Sequence, residues 1–243
     1  MAHEEIAIVV GVGPGLGAAL GRRFARAGMA VGLAARDRGK LAPLAGGLES
    51  LGGRGRAYAC DASDEGQVAR LFGEVSADLG QPSLVVYNAG AFLRRGILET
   101  TTEEFERCWR IGCLGGFHVG RAAARLMLAR GTADGARGTI LFTGATASLR
   151  GSAGFHNLAV GKFGLRALAQ SMARELQPQG VHVAHVIIDG QIAGERAGYR
   201  REERGSDALL EPDAIAEAYY QLHRQHRSAW THELDLRPWV EKF

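Results

Sequence analysis

The chain has 243 residues, 46% of them hydrophobic, with 29 Lys and Arg against 26 Asp and Glu for a formal net charge of +3. This composition can fill a sizeable core, and without a long basic run it argues against a nucleic-acid partner. The apolar runs are too short for a membrane span, the charged N-terminus predicts no signal peptide, and three cysteines without metal-ligand spacing predict a reduced, cytoplasmic protein.

Short apolar runs alternate with helical patterns along the whole chain. Continuous apolar character is typical of parallel strands buried on both faces, and the spacing leaves room for helical crossovers between them. We therefore predict an α/β fold, with one Rossmann-type domain over residues 1–243 and a doubly wound parallel sheet of about seven strands. The predicted strands are 6–10, 30–35, 55–60, 84–87, 139–143, 181–188 and 234–236, and the predicted helices are 16–27, 64–79, 102–130, 157–177 and 212–225.

A glycine-rich turn joins the first predicted strand to the first helix. Its glycines, Gly11, Gly15 and Gly17, let the backbone approach a pyrophosphate, and the helix N-terminus that follows presents free N–H groups. Leu16 occupies the sixth position of a strict G-x-G-x-x-G pattern, so the spacing that fits is G-x-x-x-G-x-G. The turn predicts a dinucleotide site, with an ordinary tight connection as the alternative.

The end of the second predicted strand, where the adenosine ribose of a dinucleotide lies, carries arginine. An acid there would bind the 2′-hydroxyl of NAD, whereas the guanidinium of Arg36, helped by Arg38, suits the 2′-phosphate of NADP. We therefore expect NADP(H) in preference to NAD(H). The alternative is that Arg36 is a solvated residue at the strand end.

Lys162 is one of only three lysines in the chain and opens a turn of the predicted helix 157–177. An ammonium is a compact donor that can reach ribose hydroxyls, whereas a guanidinium is a planar fork. In a chain that otherwise uses arginine, this lysine predicts a site that needs such a donor.

Taken in order, these segments resemble those of the short-chain dehydrogenase/reductase family. The glycine turn is followed by Cys60-Asp61-Ala62 after the third strand, by Tyr87-Asn88-Ala89-Gly90 after the fourth, and by Lys162. The resemblance covers residues 6 to about 190 and implies a nicotinamide dinucleotide as cofactor. It also implies that Asp61 contacts the adenine and that the Asn-Ala-Gly segment braces the sheet. The cofactor-binding residues expected from it are Gly11, Gly15, Leu16, Gly17, Arg36, Asp61, Ala62, Asn88, Ala89, Gly90, Lys162, Gly190 and Ile192.

The same resemblance implies a reaction centre without its proton-transferring groups. In the family a tyrosine acts as acid or base beside the lysine, a serine orients the carbonyl, and an asparagine holds a relay water. Here the tyrosine position is Leu158, the serine position is Ala145 and the asparagine position is Gly112, so Lys162 is left as a catalytic remnant. The family's Pro-Gly-x-Val-x-Thr after the sixth strand becomes Asp189-Gly190-Gln191-Ile192-Ala193-Gly194, without the proline and the threonine hydroxyl.

Other polar residues near these positions, Thr143 among them, are alternative proton donors. His156 has an imidazole, which can act as a general acid; the alternative is a histidine at a helix start that faces solvent or a partner subunit. Asn157 is most simply an N-cap, and Thr146 and Ser148 are most simply loop hydroxyls.

The polar segment 194–207 follows the sixth predicted strand at the edge of the sheet where ligands bind. We interpret it as a lid that carries Tyr199 as a further donor, with an ordinary surface loop as the alternative.

Four glycines share the predicted helix 102–130, and Gly161 and Gly164 lie in the helix that contains Lys162. Glycine costs a helix about 1 kcal/mol relative to alanine, so the cluster predicts close helix contact or a kink. In the family these two helices form a dimer's four-helix interface, which implies a homodimer or homotetramer. The alternative is close packing within one subunit.

Two classes of function are compatible with these residues. The first is an NADP(H)-binding protein without the family's carbonyl-reductase chemistry, with a non-catalytic or regulatory role. The second is an NADP-dependent oxidoreductase that uses a non-standard proton donor on a small-molecule substrate. No metal site is expected, because His182–His185 point to opposite faces of a strand and His223–His226 lack a third ligand.

Overall fold

Buried apolar runs form the strands of the structure, a computed structural model that describes residues 4–131, 135–194 and 207–241. The strands are β1 (Ile6–Val10), β2 (Ala30–Ala35), β3 (Arg54–Ala59), β4 (Leu84–Tyr87), β5 (Gly138–Thr143), β6 (Val181–Ile188), β7 (Gln191–Ile192), β8 (Leu209–Leu210) and β9 (Glu233–Leu236). Seven of them form one sheet in the order β3-β2-β1-β4-β5-β6-β9, and every neighbouring pair is parallel. Strands β7 and β8 pair with each other.

Helices connect the strands and cover both faces of the sheet. They are α1 (Leu16–Arg26), α2 (Arg38–Gly47), α3 (Glu65–Asp78), α4 (Thr102–Trp109), α5 (Gly115–Ala129), α6 (His156–Leu176) and α7 (Pro212–His223). A π-helical turn, Arg110–Leu114, joins α4 to α5. Among the described residues, no helix is long and apolar enough to cross a membrane.

The predicted α/β fold class is confirmed, and all seven predicted strands occur within one residue of their predicted ends. The predicted helix 102–130 is interrupted by the π turn, and α2 was not predicted. Helix α2 buries only Leu41 and Ala45 and contains Pro43, so it has almost no amphipathic pattern. Of the segment predicted as a lid, residues 195–206 lie outside the described residues.

The sheet separates two hydrophobic cores. One lies between the sheet and α3, α5 and α6, with Val68, Val119 and Leu165 among its residues. The other lies beneath α1, α2 and α7 and includes Leu20 and Ile215. Because the sheet is covered on both faces, its strands are apolar throughout, and ligands can reach it only along the ends of the strands.

Glycines let the helices α5 and α6 approach each other closely. A Cβ added to Gly112 in the π turn would lie 3.2 Å from the Cα of Gly161, so two helix backbones are in direct contact there. A Cβ added to Gly116 would lie 2.3 Å from a methyl carbon of Leu165. The glycine cluster therefore makes close helix contacts within the chain, as its position in the two predicted helices led us to expect.

A network of polar side chains lies in the interior beside β6. His185 on β6 is completely buried, with its Nε2 3.3 Å from Ser148 Oγ and its Nδ1 3.5 Å from Glu233 Oε2. The guanidinium of Arg166 on α6 donates two hydrogen bonds, of 2.6 and 2.7 Å, to the Glu233 carboxylate. The network thus links α6 to β6, β9 and the loop that follows β5.

The backbone contact at Gly112 should make this position intolerant of a side chain. We expect Gly112→Val to lower the free energy of unfolding by about 1–3 kcal/mol, because overpacking forces the helices apart. Gly73→Val is the matched control, since Gly73 lies on α3 with nothing within 4 Å of an added Cβ. Urea unfolding of both variants tests this, and equal effects would show that the contact is not tight.

Acid should weaken the fold through His185. Burial lowers the pKa of this imidazole to about 4, whereas in an unfolded chain the pKa is about 6.5. The unfolded state then binds a proton that the folded state does not, so the free energy of unfolding decreases as the pH falls from about 6.5 towards about 4. Between about pH 7 and about pH 4.5, the loss in the wild-type protein should exceed that in His185→Gln by roughly 2 kcal/mol. Equal losses by urea unfolding would contradict this.

Candidate functional site

The order of the strands reverses between β1 and β4, and this reversal opens a crevice at their carboxyl ends. The turn that follows β1 is held by close contacts that only glycine allows. Gly11 has a φ of +92°, and a Cβ added to it would lie 2.3 Å from the backbone nitrogen of Ala89. A Cβ on Gly17 would lie 2.7 Å from the Cα of Val12. The turn is therefore compressed against β4 on one side and against α1 on the other.

The N-terminus of α1 has the features of an anion site. No side chain caps the helix, and its first turn contains no acidic residue. The Ala18 N–H donates to the Gly13 carbonyl, which leaves the N–H groups of Leu16 and Gly17 for a ligand. An added Cβ on Gly15 would meet nothing within 4 Å. This space beside Leu16 can accept a phosphate group close to the backbone.

The segment after β4 braces the glycine turn. The Asn88 side chain donates a hydrogen bond of 2.9 Å to the carbonyl oxygen of Gly11, and its backbone nitrogen donates to Val10. Ala89 forms the surface against which Gly11 packs, and Gly90 continues towards Lys162. The structure thus brings this predicted segment and the glycine turn together.

The ends of β2 and β3 form the other side of the crevice. Arg36 and Arg38 are exposed and form no ion pair with another described residue. Asp37 instead caps α2 by accepting a hydrogen bond from the backbone nitrogen of Lys40. Since the nearby carboxylate is engaged in this cap, the Arg36 guanidinium stays available to an anionic ligand.

Asp61 follows β3, adjacent to the end of β2. Its Oδ1 accepts hydrogen bonds from the backbone nitrogen and the hydroxyl of Ser63, at 2.9 and 2.7 Å. Ala62 is buried beside it. The carboxylate is therefore fixed in a tight turn at the edge where an adenosine is expected.

Lys162 lies at the inner end of the crevice. The side chain is buried, and Nζ donates a hydrogen bond of 2.6 Å to the carbonyl oxygen of Thr143 at the end of β5. A Cβ added to Gly90 would lie 3.6 Å from Nζ. Burial lowers the pKa of the ammonium to about 8, and no carboxylate of the described residues lies within ion-pairing distance to oppose this.

The positions around Lys162 are apolar. Leu158 is half-buried one helical turn earlier, on the same face of α6. Ala145, also half-buried, follows β5. Gly112 is buried, and a Cβ added to it would lie 3.2 Å from the Gly161 Cα, which is tighter than most such contacts. Ala145, Leu158 and Gly112 have no polar side chain to transfer a proton.

The hydroxyl groups near the end of β5 are engaged with other side chains. Tyr219 donates a hydrogen bond of 2.9 Å to the Thr143 hydroxyl. The Thr146 hydroxyl donates one of 2.5 Å to Asp189 Oδ1, whose other oxygen lies 3.2 Å from the Arg237 guanidinium. Asp189 and Tyr219 were not predicted as neighbours of this site, although Asp189 occupies a position where the resemblance implies proline.

His156 and Asn157 lie elsewhere than the sequence suggested. His156 Nε2 lies 2.9 Å from the Thr100 hydroxyl. Six residues separate it from Lys162, which places the two side chains about 120° apart around α6. Asn157 is not the N-cap, because α6 begins one residue earlier; its side chain is buried and donates to the Leu93 carbonyl at 3.3 Å. The structure does not bring His156 and Lys162 together, and Tyr199 lies outside the described residues.

The segment after β6 closes the crevice on the other side. Gly190 has a φ of +150°, and an added Cβ would lie 2.8 Å from a ring carbon of Pro238. Ile192 pairs with Leu210 in the short β7–β8 ladder.

No group of His, Cys, Asp and Glu side chains suited to a metal ion occurs in the described part of the chain.

Comparisons with known proteins agree with this geometry. The family model described as short chain dehydrogenase matches residues 5–204. A (3R)-3-hydroxyacyl-CoA dehydrogenase of Canis lupus familiaris is 32% identical over 193 residues, which are 76% of this chain and 73% of that protein. The crystal structure of a short-chain dehydrogenase from Rhodopseudomonas palustris is 42% identical, with a TM-score of 0.83 over 97% of this chain and 99% of that one. A metagenomic short-chain oxidoreductase in complex with NADP is 27% identical, with a TM-score of 0.81 over 97% and 98% of the two chains.

The family match covers most of the chain, and the glycine turn, the Asn-Ala-Gly segment and the buried lysine meet at one edge of a parallel sheet. This chain belongs to the short-chain dehydrogenase family.

Proposed function

We propose that this protein binds NADP(H) and does not reduce ketones by the tyrosine- and serine-dependent route of its family. The observation that carries the proposal is the contrast between the two ends of the crevice. The phosphate end has an uncapped helix N-terminus and open space at Gly15. The reaction end has Leu158 and Ala145 where the resemblance implies a tyrosine and a serine.

The residues fit a dinucleotide at the positions expected for it. The glycine turn leaves room for a pyrophosphate, and the Lys162 ammonium offers donors suited to ribose hydroxyls. When bound, the dinucleotide supplies or accepts a hydride. The residues proposed to hold it are Gly11, Gly15, Leu16, Gly17, Arg36, Asp61, Ala62, Asn88, Ala89, Gly90, Lys162, Gly190 and Ile192.

NADP(H) is favoured over NAD(H) by the charge at the end of β2. Arg36 is exposed and free of ion pairs with other described residues, so it can bind a 2′-phosphate with a charge-assisted hydrogen bond. The structural relative named above is in complex with NADP.

A non-catalytic or regulatory role is the first candidate, and the apolar reaction end supports it. General acid–base catalysis typically contributes about 10²–10⁴-fold to a rate, and the positions around Lys162 offer no hydroxyl for it. An oxidoreductase with a non-standard proton donor is the second candidate. It is favoured by one observation, the burial of Lys162 without a carboxylate partner among the described residues.

We further propose that the protein is a cytoplasmic homo-oligomer. Large apolar side chains are exposed on three neighbouring helices, and burying them between copies of the chain would remove apolar surface from water. They are Phe105 and Trp109 on α4, Phe117 on α5, and Val160 and Phe163 on α6.

Removing the Arg36 guanidinium should lower the affinity of the protein for NADPH and leave its affinity for NADH nearly unchanged. We expect wild-type protein to bind NADPH with a Kd of about 1 µM, roughly −8 kcal/mol. Arg36→Ala should weaken NADPH about tenfold or more and leave NADH within about twofold, because only NADPH has the 2′-phosphate. Fluorescence titration measures both constants. Arg26→Ala, at an exposed arginine on the last turn of α1, is the control, and equal weakening of the two cofactors by Arg36→Ala would remove the argument for NADP(H).

Hydroxyl groups introduced at positions 158 and 145 should allow the protein to reduce ketones. We expect no consumption of NADPH with simple ketones by the wild-type protein, and at least about 100-fold faster consumption by the double variant Leu158→Tyr/Ala145→Ser, because a phenol then stands one helical turn from Lys162. Leu158→Phe/Ala145→Ser is the matched control, since it supplies the ring without the hydroxyl. Efficient reduction of simple ketones by the wild-type protein would overturn the proposal.

A further inference from the structure

Lys162 is a buried cation with an unusual set of neighbours. It is 6% exposed, its Nζ donates one hydrogen bond to the Thr143 carbonyl, and no carboxylate of the described residues pairs with it. Burial of a charge is costly unless the charge is paired, so the site disfavours the ammonium relative to the neutral amine. This makes the ammonium a stronger acid than an ordinary lysine.

The ammonium also lies at the place where a ligand must enter. Thr143 ends β5, and Gly90 follows β4, so Nζ is at the carboxyl ends of the two central strands. Leu158 precedes Lys162 by four residues on the same face of α6, and its side chain has no polar atom that could accept from Nζ.

Two hydroxyl groups near the end of β5 donate their protons to other side chains. The Thr146 hydroxyl donates to Asp189, and the Tyr219 hydroxyl donates to the Thr143 hydroxyl. Ser148 is completely buried, where its Oγ accepts from the backbone nitrogen of Ala145 and contacts His185. An ammonium has three N–H bonds, and among the described residues Nζ of Lys162 donates only to the Thr143 carbonyl, so Lys162 keeps protons to give.

We propose that Lys162 is itself the proton donor of this site, and that its ammonium protonates the oxygen of an activated carbonyl substrate such as an α-dicarbonyl, directly or through one water. The inference rests on the NADP(H) binding proposed above and develops the second candidate function.

The step balances with Lys162 as acid. One Nζ–H bond breaks, the electron pair stays on nitrogen, and an O–H bond forms on the substrate oxygen. The carbonyl carbon receives the hydride that NADPH supplies, so the carbonyl is reduced to an alcohol and the dinucleotide is oxidised. The neutral amine then takes a proton from solvent. With a pKa of about 8, Lys162 can complete this cycle near neutral pH.

The first test measures the lysine directly, without turnover. The chain has only Lys40, Lys162 and Lys242, so carbon-13 labelling of lysine Cε gives three NMR signals, and Lys40→Arg/Lys242→Arg leaves Lys162 alone. We expect its signal to titrate near pH 8 and to shift when NADPH binds. Titration near the ordinary lysine value of about 10.4 would overturn the proposal.

The second test separates binding from proton transfer. Lys162→Arg keeps a cation that cannot release its proton near neutral pH. At NADPH concentrations that titration shows to saturate each protein, we expect this variant to consume NADPH with an α-diketone at least about 100-fold more slowly than wild type. Lys162→Met is the second variant, and Lys40→Arg, at an exposed lysine, is the matched control. For the wild-type protein kcat/KM should fall as the pH rises through about 8, because the ammonium is lost.

The outcomes of these tests distinguish the proton-donor role of Lys162 from NADP(H) binding. Failure of the wild-type protein to bind NADPH removes the proposed function itself. Binding without turnover of any activated carbonyl, turnover unchanged in Lys162→Arg or Lys162→Met, or a flat pH profile overturns the proton-donor role and leaves NADP(H) binding intact. If Tyr199→Phe abolishes turnover while the NMR titration of Lys162 stays near that of an ordinary lysine, the Tyr199 phenol would be the proton donor instead.

Discussion

The reversal of strand order between β1 and β4 is the constraint on which the other features of this protein depend. In a parallel sheet covered on both faces, the carboxyl ends of the strands are where polar backbone groups remain open to a ligand, and the reversal separates the helices there. The glycine turn, the Asn-Ala-Gly segment and Lys162 are distant in sequence, yet each follows or faces a strand end at this reversal. The contact between Gly11 and Ala89 fixes the first two against each other.

The two ends of the crevice differ in how the chain satisfies polar groups. At the phosphate end, the backbone N–H groups of Leu16 and Gly17 and the Arg36 guanidinium have no partner among the described residues. At the reaction end, hydroxyls and carboxylates bind one another, as Thr146 does with Asp189 and Tyr219 with Thr143. The protons of the Thr146 and Tyr219 hydroxyls are thus used within the protein. Lys162 is buried at the junction of these two regions, bound to a backbone carbonyl, and keeps donors that no side chain accepts.

Much of the fold could be predicted from sequence, because runs such as Val181–Ile188 are buried over their whole length and have no other stable environment. Helix α2 could not, since two buried residues and an internal proline leave no periodic signal. The glycine turn and Lys162 were found from glycine spacing, from the rarity of lysine in this chain and from the resemblance to the family. The partners of Thr146 and Thr143 could not be predicted, because they lie 43 and 76 residues away and meet only in the folded sheet. The contact between His156 and Thr100 depends on the direction in which the first turn of α6 points, which the sequence does not reveal. Because α6 begins one residue earlier than predicted, Asn157 lies inside the helix and is not its N-cap.

The direct contact between Gly112 and Gly161 has a consequence for any attempt to introduce the family's polar residues at this site. Leu158 and Ala145 are half-buried, whereas Gly112 is buried against the backbone of the opposite helix. An asparagine at 112 would place its Cβ 3.2 Å from the Gly161 Cα, so the opposite backbone would have to move by a few tenths of an ångström. The three positions therefore differ in what the surrounding backbone allows, and position 112 is the most constrained of them.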